Sequence, residues 1–133
     1  SPVDKAVADA EAAVAEGDVA KAIQILSRAV TQAQAPAHRF RARLELGKLC
    51  LRSSLFDIAR AQLEGLERLA EDHRLAAWDP ELCVEMYANL YRVRKAQSAQ
   101  SYEDLELQKR VAQSFERLCE LDAAQAYAVM QEQ

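Results

Sequence analysis

The sequence predicts an all-α fold of stacked helical hairpins, about six or seven helices in 133 residues, and three observations carry that reading. Gly and Pro occur only three times each, while Ala, Leu, Glu, Gln and Arg dominate and β-branched residues are sparse, so helix propensity is high and strand propensity low throughout. Apolar residues recur at helical spacing, as in Leu107, Val111, Phe115 and Leu118. The breaks between such stripes are short and carry helix-ending or helix-starting residues. A chain of this length hides roughly two-thirds of the surface its unfolded form exposes, so residues 1–133 are expected to form a single domain without staples.

Residues 1–36 read as a generic Ala-rich hairpin whose turn is Gly17-Asp18 and whose end is Ala35-Pro36-Ala37. A weak repeat follows. Gly17, Ala22, Leu26 and Ala33 recur 37 positions later as Ser54, Ala59, Leu63 and Ala70, and Val7 and Val14 map onto Leu44 and Leu51 by the same shift. The turn and second helix resemble those of a tetratricopeptide repeat, which usually has a period of about 34. A second hairpin breaks at Ser53-Ser54. A longer third pair then covers Pro80 to Gln97 and about Tyr102 to Leu121, before a short tail from Ala123 to Met130. Ser54 with Asp57, and Ser101 with Asp104, match the S-x-x-D capping pattern.

The corner Trp78-Asp79-Pro80-Glu81-Leu82 reads as the start of the third pair. Asp79 suits the N-cap, Pro80 suits the first helical position where an N–H is not needed, and Glu81 meets the positive end of the helix dipole. Trp78, just before the cap, is placed to staple onto the first turn near Cys83. Trp78, Asp79 and Pro80 are therefore expected to be a structural anchor, with the indole largely buried.

The formal charge of −4 leaves no net basic surface for nucleic acid or an anionic membrane. Cys50, Cys83 and Cys119 are odd in number and each lies in an apolar stripe, the pattern of buried free thiols in a reducing compartment. No run approaches a spanning helix and no leader or lipidation motif opens the chain, so the cytoplasm is expected. The opening Ser1-Pro2, without an initiator Met, reads as a piece of a longer protein. His38 and His73 lie on different helices, with no partner at ligand spacing. No metal, cofactor or catalytic site is expected, for want of any convergent motif.

Arg39 and Arg43, one turn apart on a locally basic helix, are a possible contact for an acidic partner, although a solvated face explains them as well. Arg92, Arg94 and Lys95 near a helix C-terminus complement its dipole. The later helices carry more apolar side chains than one face can hide. Leu107, Val111, Phe115, Leu118, Tyr127 and Met130 are thus candidates for an interface between copies of the chain, and Tyr87 and Tyr91, four apart on one stripe, read first as core packing but also suit an interface.

Arg39-Phe40-Arg41-Ala42-Arg43-Leu44-Glu45-Leu46, Leu49-Cys50-Leu51, His73-Arg74-Leu75, the Trp78 to Leu82 corner and the ending Glu116-Arg117-Leu118-Cys119-Glu120-Leu121-Asp122 together resemble the C-terminal region of TssA proteins of the type VI secretion system, the ImpA/VasJ group. The likeness lies in residues 37–133, mainly Arg39 to Ala126. Asp79 stands where that family has Glu, and Ala123 where Pro is common. The resemblance implies a non-enzymatic cytoplasmic scaffold, a symmetric ring-forming homo-oligomer that contacts the baseplate, inner tube and sheath of the secretion machine. An alternative class is a tetratricopeptide-like adaptor that binds a peptide in a concave groove lined by the basic helix.

Overall fold

The computed structural model describes residues 1–132 and is all-helical there. Its order is α1 (Pro2–Ala15), α2 (Val19–Gln32), α3 (Pro36–Arg52), α4 (Phe56–Asp72), α5 (Leu75–Trp78), α6 (Pro80–Ser98), α7 (Leu105–Leu121) and α8 (Ala123–Met130). Every expected break is present. The additional element is α5, a single turn between α4 and the Asp79-Pro80 corner. The chain divides into two compact units, residues 1–62 and residues from Leu63 onward, with the division inside α4.

In the first unit α1 packs on α2 and α2 on α3. Small residues let the first pair approach: Ala10, Ala13 and Ala22 are buried, with Leu26 filling the space beside them. Ser1 Oγ accepts from the Asp4 N–H, and Asp18 Oδ1 from the Lys21 N–H at 3.0 Å, so two of the helix starts are capped by side chains. The third start uses Pro36 in its first turn and has no side-chain cap.

The 37-residue repeat is also a repeat of backbone geometry. Gly17 takes φ +83° and Ser54 φ +58°, both left-handed. In each turn the next N–H reaches five residues back, Asp18 to the Ala13 carbonyl at 2.9 Å and Leu55 to the Cys50 carbonyl at 2.8 Å, which closes the preceding helix in the same way. The Ser54–Asp57 capping box is accordingly not formed: α4 begins at Phe56, and Ser54 ends α3 rather than starting α4. A related correction applies to Ser101, since Asp104 is itself the N-cap of α7, accepting from the Leu107 N–H at 3.0 Å.

In the second unit α6 is the central helix, buried around most of its circumference from Cys83 to Arg94. The antiparallel α7 packs along it, and α8 packs on both through Ala126 and Val129. Asp79 Oδ1 caps α6 by accepting from the Leu82 N–H at 3.2 Å, with Pro80 in the first turn. Trp78 departs from expectation: its side chain is 59% exposed. Leu75 of α5 is the buried residue at this corner, while the indole N–H donates to the His73 carbonyl at 2.8 Å, drawing the ring back over the α4–α5 link.

Candidate functional site

The most demanding local chemistry lies inside the second unit. Arg94 is 2% exposed, and a buried guanidinium persists only when its charge and its donors are matched. Glu64 and Glu67, one turn apart on α4, supply the charge: Nη2 meets Glu67 at 2.9 Å and Glu64 at 3.1 Å, and Nε reaches Glu64 at 3.3 Å. Nη1 donates to Ser114 Oγ on α7 at 2.6 Å, and that hydroxyl donates onward to the Arg110 carbonyl at 2.7 Å. One side chain thus ties three helices together at a fixed register. Beyond the dipole complement expected of it near the α6 C-terminus, Arg94 thus has a packing role that the sequence reading did not give it. The available signal was its spacing: Arg94 falls one turn after Leu90 on the stripe of Cys83, Tyr87 and Leu90.

Tyr87 and Tyr91 are core residues, not free surface. The Tyr87 hydroxyl donates to Glu71 Oε1 at 3.3 Å, and burial, reinforced by the Glu67 and Glu71 carboxylates, pushes its ionisation well above the ordinary tyrosine range. Arg117 lies over the Tyr87 ring at 6.0 Å and Lys95 over Tyr91 at 5.7 Å, while Tyr91 tilts against Phe115 with centroids 5.1 Å apart. Leu107 and Leu118 are also buried, and Val111 and Phe115 are half-buried. Of the interface candidates, Tyr87, Tyr91, Leu107 and Leu118 are therefore consumed within the fold, because α6 and α7 face each other along their whole length. Tyr127 and Met130 remain exposed, at 63% and 47%, because α8 packs through its other stripe. Tyr102 at 78% and Leu105 at 74% join them, at the α6–α7 loop and the start of α7.

Cys50 and Cys83 are buried, and desolvation pushes both thiols up. Cys119 is exposed, against expectation, because it lies on the outer face of α7 next to the buried Leu118. Arg39 and Arg43 do not form a free basic pair. Arg39 donates to the Ala33 carbonyl at 3.1 Å and Arg43 to Gln62 Oε1 at 2.8 Å, so each has an internal partner. His38 and His73 are exposed. Among the described residues no three His, Cys, Asp or Glu side chains converge as a metal site, and no helix is long and apolar enough to cross a membrane.

Two concavities flank the elements described above. One, of about 620 Å³ in the first unit, lies between α1, α2 and the start of α3, with Val3, Ala6, Ile25 and Ala29 on its walls. The other, of about 340 Å³ in the second unit, lies beside the Trp78 corner and is lined by Glu71, Arg74, Cys83, Tyr87 and Arg117. Arg74 stands at its edge with a left-handed backbone, φ +51°.

Comparison with known proteins aligns residues 1–90 with the family described as type VI secretion, EvfE, EvfF, ImpA, BimE, VC_A0119, VasJ. The match begins at the first residue and so includes the hairpin that reads as generic in sequence. Among solved structures, the EAEC type VI secretion TssA C-terminus superposes with a TM-score of 0.77 at 23% identity, over 96% of this chain and 95% of that one. No individually curated protein sequence matches.

Proposed function

As a member of the ImpA/VasJ family of type VI secretion proteins, the chain has a family role to fill, and we propose that it fills it as a non-enzymatic scaffold that associates with itself into a ring. The carrying observation is the apolar surface left uncovered on the second unit: Trp78, Tyr102, Leu105, Tyr127 and Met130 are all exposed although the core of that unit is complete without them. Side chains of this size in water favour association, and identical copies associate most economically with closed symmetry. The scaffold acts in the cytoplasm and holds baseplate, inner tube and sheath components of the secretion machine, as the family resemblance implies. The adaptor alternative loses its main support, since Arg39 and Arg43 are each engaged internally.

Light scattering on the purified chain tests the proposal. A single defined oligomeric mass at micromolar concentration supports it, and a monomer across that range overturns it. Pull-down of tube, sheath and baseplate proteins by the chain tests the contacts separately.

A further inference from the structure

We propose that copies of this chain join head to tail, the acidic α6–α7 loop of one copy seating on the Arg74–Trp78 corner of the next; this rests on the self-association proposed above and names its contact. The two surfaces carry complementary chemistry. At the corner, Arg74 is the left-handed N-cap of α5 and Trp78 its last residue, both side chains are exposed, and the Arg74 guanidinium makes no hydrogen bond or ion pair among the described residues. The adjoining pocket of about 340 Å³ is lined by Arg117 and Tyr87 as well. Its one acid, Glu71, already accepts the Tyr87 hydroxyl, and Arg117 also meets Glu120 at 3.3 Å. Arg74 is the uncommitted charge.

The loop presents the converse. Tyr102 and Leu105 are the two most exposed large apolar residues of the chain, and Glu103 stands between them. Asp104 is spent on capping α7 and Glu106 meets Arg110 at 3.5 Å, whereas Glu103 has no polar partner among the described residues. An aromatic residue, a free carboxylate and a Leu on one short segment match an indole and a free guanidinium beside an open pocket.

Position excludes a contact between this loop and the corner of its own chain. Tyr87 meets Arg117, Tyr91 meets Phe115 and Arg94 meets Ser114, so α6 and α7 run antiparallel with the loop at one end and the corner at the other. The 19 residues of α6 make it about 28 Å long, too far for the loop to reach the corner of its own chain. A contact between opposite ends of one hairpin is heterologous, and heterologous contacts generate rings when their rotation closes.

Charge exchange tests this on the whole chain. Glu103→Arg and Arg74→Glu alter exposed side chains and are expected to leave far-UV circular dichroism unchanged. Each alone should weaken association by roughly tenfold or more, because like charges then meet in the contact. Mixing the two variants should restore the mass, since a loop from Glu103→Arg opposes a corner from Arg74→Glu and the reverse contact is that of the unaltered chain. Tyr102→Ala should also weaken association, without recovery on mixing. If the unaltered chain is monomeric, both this contact and self-association are overturned. If the single variants assemble as well as the unaltered chain, self-association stands and this contact is wrong, the corner and loop then serving other proteins.

Discussion

Residues 1–62 fill their buried positions mainly with Ala and Leu and close their helices with a turn used twice, whereas the unit from Leu63 onward buries an arginine, two tyrosines and an asparagine. The first unit gains its stability from small residues at close approach. The second concentrates it in a polar cluster whose members depend on one another. The same unit also carries the exposed Trp78, Tyr102, Leu105, Tyr127 and Met130. Rigid, over-determined packing beneath exposed aromatic side chains is what an assembly surface requires, since ordering those side chains on binding then costs little backbone freedom.

The comparison breaks most readily at Arg94. Truncation to Ala opens a cavity among three helices and removes the guanidinium that Glu67 and Ser114 accept from and that Glu64 also meets, so Arg94→Ala should cost about 3–5 kcal/mol. Leu26→Ala in the first unit removes only apolar contacts and should cost about 2–4 kcal/mol. Urea unfolding measures both. If Arg94→Ala is the milder of the two, the cluster is an accessory and the contrast between the units fails.

The paired turns sharpen the comparison from within. Gly17→Ala meets no atom within 4 Å, so its cost is purely that of a left-handed backbone, about 1 kcal/mol. Ser54 already bears that cost at φ +58°, and Ser54→Gly should therefore raise stability by up to about 1 kcal/mol. Opposite signs at two positions 37 residues apart would establish that the repeat is one of conformation. Equal signs would reduce it to a coincidence of spacing.

What was legible in the sequence follows the same division. The helix breaks at Gly17, Pro36 and Pro80 are local events, set by residues with few backbone options, and these were readable. The Ser54 and Ser101 boundaries were misplaced by one to three residues because S-x-x-D describes a cap without fixing where the helix starts. Asp104, not Ser101, holds the N-cap position and accepts from the Leu107 N–H. Arg94 was unreadable as a core residue because its acids are about 30 positions away on another helix, and only its place on the stripe with Leu90 hinted at burial. Exposure was the least legible property. Tyr87 and Tyr127 look alike in sequence, yet one donates to Glu71 beneath α7 and the other lies on the outer stripe of α8.

Thiol chemistry separates buried from exposed positions without unfolding the chain. Cys119 should react at once with a thiol reagent in native buffer, while Cys50 and Cys83, buried and with thiols pushed up by desolvation, should react only as the chain opens. One fast equivalent followed by two that track denaturant is the expected pattern. Fast labelling of Cys83 would mean that the α6 N-terminal turn is open in solution.

The smallest effect on stability is expected at the corner, where the order of two substitutions reverses what the sequence suggests. Asp79→Ala removes the oxygen that accepts the Leu82 N–H and should lower stability by about 1 kcal/mol. Trp78→Ala removes an exposed ring whose one polar contact is the His73 carbonyl, an acceptor that water can satisfy, so the loss should stay within about 0.5 kcal/mol. Oligomer mass should follow the opposite order, with Trp78→Ala dispersing the assembly and Asp79→Ala leaving it formed. A Trp78→Ala chain that melts far below the unaltered one would return the indole to the role of an internal staple, and the corner would lose its part in the proposed contact.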